Sequence, residues 1–321
     1  MNSKPIIVVA GEPNSVFSEI FCKAKIIKRF KNPILLIASE KIFLGQIKKL
    51  KYDFKINIID KDKINLYKLN NNQINLINVD FKFKKVFDRI SNKSNTYIKT
   101  CFAVALDILK KNNCSGFING PVSKKNFLGN KYLGITEFLA TKTIKNNHVA
   151  MLIYNKKLSV SPLTTHLPLK EVYKYVSKEK IISQVKLIKE FYIKQFKQNP
   201  RIAITGLNPH CESNYKSSEE ESAIKPAIKY LIKNKYKVKG PFSADTIFMQ
   251  NNSKKFDVIL GMYHDQVLTP AKTIFGFNAV NITLGLPFIR ISPDHGPNIN
   301  MLGKNKSDPT SLIEALKFLD K

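Results

Sequence analysis

Short apolar runs of strand length alternate with stretches of helical periodicity from one end of the chain to the other. The runs at 4–10 (KPIIVVA), 33–39 (PILLIAS), 116–120 (GFING), 148–154 (HVAMLIY), 158–166 (LSVSPLTTH), 201–210 (RIAITGLNPH) and 256–264 (FDVILGMYH) predict strands. Apolar positions three and four apart predict helices over 18–30, 40–50, 95–113, 178–196, 218–235 and 308–320. The acidic start SEEE suits a helix N-terminus, where carboxylates complement the dipole, and Pro226 inside that pattern predicts a kink or a shifted start. The polar, strand-rich region 52–90 is not resolved by pattern alone. Strand–helix alternation of this kind predicts an α/β protein with a largely parallel sheet. There is no Gly/Ser linker, so a two-domain division has to be interwoven.

Composition changes this picture little. A chain of 321 residues, 43% hydrophobic, is long enough for two domains with packed cores. Its apolar runs are far shorter than the ~20 residues of a membrane span, and the N-terminus lacks a signal-peptide pattern, so a cytoplasmic protein is expected. The formal charge of +29 invites a polyanion reading. Yet the basic residues are nearly all lysines scattered among Asn and Ile, and no basic helix is interleaved with stacking aromatics. Solvated lysine faces are therefore expected, with neither nucleic-acid nor membrane partners. Cys22, Cys101, Cys114 and Cys211 form no CxxC pair and read as reduced thiols.

Chemistry gathers where strands end. His166, His210 and His264 each close an apolar strand run. In open α/β sheets, ligands bind at the C-terminal edge of the strands. The separations exclude a local HxxxH site and fit three loops from neighbouring strands. Three neutral imidazoles with an open position are a recurring catalytic metal environment; structural, hydrogen-bonded histidines are the bland alternative. Arg290 is one of only four arginines, and its planar fork suits carboxylate or phosphate, with a surface ion pair as the other reading. The turn GPVSK, with Ser123 and Lys124, is a weak candidate for anion binding. No GxGxxG, GxxxxGK[ST] or GxSxG occurs, which removes the usual dinucleotide, P-loop and acyl-transfer signatures.

The segments GEP, GPVSK, GITEFLA, TTHLPL, GLNPH, GPFSADTIF, MYHDQ and AVNITLGLPFIRISPDHG, which span residues 11–296, together resemble the 4-hydroxythreonine-4-phosphate dehydrogenase family of pyridoxal phosphate biosynthesis. The resemblance implies an isocitrate/isopropylmalate-dehydrogenase-like α/β fold of two interwoven domains with an active-site cleft between them. The first is expected over 1–125 plus 275–321, and the second over 126–274. It also implies a homodimer with a site shared between subunits. NAD or NADP would be bound without a Rossmann motif, and one divalent cation (Zn, Mg or Co) would be held by His166, His210 and His264. The substrate contacts it implies are Thr136, Lys272, Asn281 and Arg290. Asp294 and His295 are the candidates for cofactor binding.

The reaction implied is oxidation of 4-phosphohydroxy-L-threonine, followed by decarboxylation to 3-amino-2-oxopropyl phosphate. Asp245, Asp265 and Lys272 are the candidate proton acceptors. Two departures stand out. Ile135 occupies the place where the family carries histidine, and isoleucine can neither donate to phosphate nor titrate. The loop GEPNSVFSE lacks the family's glycines, which predicts an altered loop shape. Ile135 keeps open a dehydrogenase of a related 4-phosphorylated sugar acid, threonate or erythronate 4-phosphate. A metal-dependent hydrolase is a more distant alternative.

Overall fold

The structure, a computed structural model, describes residues 4–111, 114–129, 132, 134–143, 149–211, 217–276, 278–293 and 296–320. The chain forms two compact units, 1–135 with 288–321 and 136–287. The first begins β1 (Ile6–Val9), α1 (Phe17–Ile27), β2 (Ile34–Ala38), α2 (Glu40–Lys49), β3 (Ile56–Ile58), β4 (Ile74–Asn78), α3 (Asn95–Lys111) and β5 (Gly116–Asn119). The second comprises α4 (Ile135–Thr143), β6 (Ala150–Tyr154), β7 (Ser159–Thr164), α5 (Lys178–Phe196), β8 (Ile202–Thr205), α6 (Lys225–Lys233), β9 (Val238–Phe242), α7 (Gln250–Ser253), β10 (Val258–Tyr263), α8 (His264–Phe275) and β11 (Val280–Leu284). The chain then returns to the first unit with β12 (Arg290–Ser292) and α9 (Thr310–Leu319).

In the first unit the strand order is β3-β4-β2-β1-β5-β12, parallel throughout. Every residue of β1 and β2 is buried, which is why these strands read as unbroken Ile/Val/Leu runs rather than as an alternation. Helix α1 packs on α2 and α9, while α3 lies on β1, β2 and β5. Phe102 of α3 meets Phe117 of β5 edge-on at 5.9 Å. In the second unit the order is β11-β6-β7-β10-β8-β9. Strands β7, β10, β8 and β9 run parallel, and β6 is antiparallel to both β7 and β11. Its core joins Val160, Ala203 and Ile259 of the strands to Val267, Leu268 and Ala271 of α8.

One helix departs from the sequence expectation and another meets it. Helix α8 starts at His264 and passes through Pro270, where a helix is not indicated by pattern because proline removes a hydrogen bond and crowds the preceding turn. Burial of Val267, Leu268 and Ala271 offsets that local cost. Pro226 occupies the second position of α6, where a missing N–H costs nothing, and the acidic stretch before it forms a wide turn over Glu220–Ile224. Among the described residues no helix is long and apolar enough to cross a membrane.

The loop after β1 carries the GEPNSVFSE segment that lacks the family's glycines. Of its residues only Gly11 has positive φ, at 76°, so the non-glycine residues that follow adopt ordinary backbone. The loop is pinned instead by side chains. Gln46 Nε2 donates to Pro13 O at 2.7 Å, Ser15 Oγ to Glu12 O at 2.7 Å, and Asp88 N to Asn14 Oδ1 at 3.1 Å. Glu12 is 1% exposed, and burial pushes its carboxyl above the usual range, against the donors Ser94 Oγ and Asn14 N. Because the folded-state pKa is raised, the stability linked to Glu12 is complete below the unfolded carboxyl pKa and is lost as pH rises through the folded value. Glu12→Gln is therefore expected to melt higher relative to wild type at pH 8 than at pH 5. Calorimetric melting at both pH values measures this, and a difference that stays flat with pH contradicts the raised pKa.

Candidate active site

The parallel row β7-β10-β8-β9 sets the geometry. Strand β7 pairs with β10 up to Thr164 opposite Tyr263, and β8 pairs with β10 from the other side through Ile204 opposite Leu260. Neighbouring strands lie ~4.8 Å apart, so their C-terminal ends deliver His166, His264, His210 and Asp245 to one edge. The strand-end positions read for the three histidines hold. Asp245 was not recognised this way, because β9 reads VKGPF, whose Gly, Pro and Lys hide a strand.

His166 and His264 come together, with ring centroids 6.1 Å apart. His264 opens α8, and its Nδ1 lies 2.6 Å from Asp265 Oδ1, a contact that does not engage Nε2. A carboxylate on the second ring nitrogen is the arrangement that orients metal-bound imidazoles. His210 is turned toward Asp245, Nδ1 to Oδ2 3.9 Å, beyond hydrogen-bond range. Asp245 is held below the usual carboxylate range first by the Ser243 hydroxyl, then by the neighbouring His210. The donor chemistry of three imidazoles suits a divalent cation such as Zn²⁺. Among the described residues, however, no three His, Cys, Asp or Glu groups form a set that could hold an ion. Two of the three histidines are gathered and the third is on the adjacent strand end.

His210 and Cys211 both sit in the left-handed region, at φ 56° and 58°. Non-glycine residues there cost about 1–2 kcal/mol each, so the surrounding contacts have to hold them. Cys211 is 8% exposed, with its Sγ against Gly206. The other thiols are buried or half-buried: Cys22 and Cys101 are pushed up to about 12 and Cys114 to about 11 by burial.

The remaining candidates are dispersed. Lys272 is exposed near the C-terminal end of α8, eight residues and about 12 Å along the axis from His264. Thr136 is the second residue of α4 and half-buried, and Asn281 sits on β11 opposite Ile153 of β6. Arg290 belongs to the first unit. It is 3% exposed and its Nε donates to Asn119 Oδ1 at 2.8 Å, which removes the surface ion-pair reading. Beside it the two turns after β1 and β5 touch: Glu12 N donates to Pro121 O at 2.8 Å, and a Cβ on Gly120 would come within 2.2 Å of Ala10 O. Ser123 Oγ accepts from Asn126 N as a cap, and the side chain of Lys124 lies outside the described residues. Asp294 and His295 also lie outside them.

The family model for pyridoxal phosphate biosynthetic protein PdxA matches residues 29–319. A 4-hydroxythreonine-4-phosphate dehydrogenase of Sulfurihydrogenibium sp. is 40% identical over 98% of this chain and 96% of its own. A protein of Oceanobacillus iheyensis, provisionally named a D-threonate 4-phosphate dehydrogenase, is 31% identical over 98% of this chain and 97% of its own. The crystal structure of a 4-hydroxythreonine-4-phosphate dehydrogenase from Klebsiella pneumoniae superposes with a TM-score of 0.85 at 26% identity, covering 99% of this chain and 98% of that one.

Proposed function

The chain belongs to the PdxA family of pyridoxal phosphate biosynthetic proteins, and from that premise we propose that it oxidises 4-phosphohydroxy-L-threonine with NAD or NADP and a divalent cation, then releases CO2 to leave 3-amino-2-oxopropyl phosphate. The observation that carries this reading beyond membership is the single strand edge that bears His166, His264, His210 and Asp245. His166, His210 and His264 would hold the cation. When bound, the cation supplies a Lewis acid that favours ionisation of the alcohol and then draws electrons as the carboxylate departs, and the nicotinamide accepts the hydride.

The protein's own groups divide the remaining work. Asp265 keeps the His264 ring oriented through Nδ1, so it is already committed. Lys272 stands at the far end of α8. Asp245, kept ionised by the Ser243 hydroxyl and next to His210, is the proton acceptor in this proposal. Thr136, Lys272, Asn281 and Arg290 are the contacts for the substrate's anionic ends, with the Arg290 fork matched to phosphate or carboxylate.

The test is nicotinamide reduction by the purified chain with 4-phosphohydroxythreonine, with and without chelator. Turnover that needs both the phosphorylated substrate and the metal is expected. Indifference to thorough chelation removes the metal from the reading. Ile135 keeps a second reading open, oxidation of threonate or erythronate 4-phosphate, since isoleucine can neither donate to phosphate nor titrate where the family carries histidine. A higher kcat/KM on those acids moves the chain to that reading.

A further inference from the structure

Two buried side chains in the second unit grip the segment that leads to His210, and neither has a part in the chemistry described above. Glu220, 1% exposed, accepts through Oε1 from Leu207 N at 2.8 Å and Asn208 N at 2.9 Å, and through Oε2 from Asn208 Nδ2 at 2.8 Å. Gln266 accepts through Oε1 from Thr205 Oγ1 at 2.9 Å and Met262 N at 2.7 Å, and donates from Nε2 to Gly206 O at 2.8 Å. The residues from Thr205 to Asn208 are thus tied by Glu220 and by Gln266. Gly206 makes this close approach possible: a Cβ there would come within 2.7 Å of Cys211 Sγ and 3.0 Å of Glu220 Oε1.

We propose that Glu220 and Gln266 are positioning residues which together set His210 relative to His264. Gln266 lies in the first turn of α8, two residues after His264, yet bonds to the end of β8, four and five residues before His210. One side chain therefore couples the strand ends that carry both histidines. Glu220 performs the complementary task. Backbone N–H groups that converge in a turn attract an anion, and here the protein fills that place with its own carboxylate. A buried carboxylate is retained only where its hydrogen bonds are made, and three of those made by Glu220 go to the two residues Leu207 and Asn208. The left-handed conformation of His210 and Cys211 follows directly after this held segment.

The inference rests on the reading of the three histidines as ligands of one divalent cation. Its test is titration of the metal-freed full-length chain with Co²⁺, followed by calorimetry and visible absorption, with the metal-free melting temperature measured in parallel. Wild type is expected to bind, and His210→Ala to bind weakly. E220Q and Q266M are expected to lose about tenfold or more in Co²⁺ affinity, as outer-shell changes do, with an altered absorption band and a folded metal-free protein. A purely structural role moves the melting temperature and leaves the affinity of the folded protein unchanged. Should E220Q not fold, N208A, which removes the side-chain bonds to Glu219 and Glu220 and leaves the backbone bonds to Glu220, carries the same expectation. Wild-type Co²⁺ affinity in the folded variants overturns the positioning role while the metal reading survives. No Co²⁺ binding by wild type overturns both.

Discussion

His264→Ala is expected to lower turnover by about 10³-fold, the largest effect of any single substitution at the strand edge. The residue combines three structural facts. It is the first residue of α8, directly after β10, its ring lies 6.1 Å from that of His166, and its Nδ1 is held at 2.6 Å by Asp265. A cation bound there is worth several kcal/mol of transition-state stabilisation, and each ~1.4 kcal/mol is tenfold in rate, which sets the expected magnitude. Asp265→Asn keeps the ligand but loses the carboxylate that orients it, so a smaller loss of about 10–100-fold is expected. Steady-state kinetics with metal content measured on the same samples check both. A His264→Ala enzyme that keeps a tenth of wild-type turnover rules out the ligand role.

Arg290→Ala is the second large effect. The guanidinium is 3% exposed and bonded to Asn119, which is itself 4% exposed. Its removal leaves a buried acceptor without that donor, at about 1–3 kcal/mol. If the guanidinium also holds an anionic end of the substrate, kcat/KM falls about 10²-fold, mainly through KM. Arg290→Lys restores the charge but neither the fork nor the Nε donor, so it should recover less than a tenth of the lost activity. Kinetics and melting curves separate the two roles. A lower melting temperature with unchanged KM assigns Arg290 to structure alone.

Much of the fold was legible because it rests on local signals. The unbroken apolar runs of β1 and β2 announce strands buried on both faces, and the helical spacing of 95–113 announces α3. Strands β9 and β11 and helix α8 were not visible. VKGPF is too polar and too rich in Gly and Pro to look like a strand, and Pro270 interrupts the helical pattern of α8. Their stability comes from partners elsewhere in the chain: Ile202 and Ala203 for β9, and Val160, Ala203 and Ile259 for α8.

The same division holds at the site. Residue types and their position after apolar runs were enough to single out His166, His210 and His264, since a histidine that follows a strand is written in consecutive letters. The order in which the strands pair is not written there. The sequence of pairings β7-β10-β8-β9 brings Asp245 into the group and leaves Lys272 at the far end of its helix. Nor could pattern reveal that Glu220 and Gln266 hold the His210 segment. Those hydrogen bonds join residues 12 to 61 positions apart, and a buried polar group finds its partner only after the backbone has placed both. Local periodicity settles which segments become strands and helices; long-range packing settles which of their side chains meet.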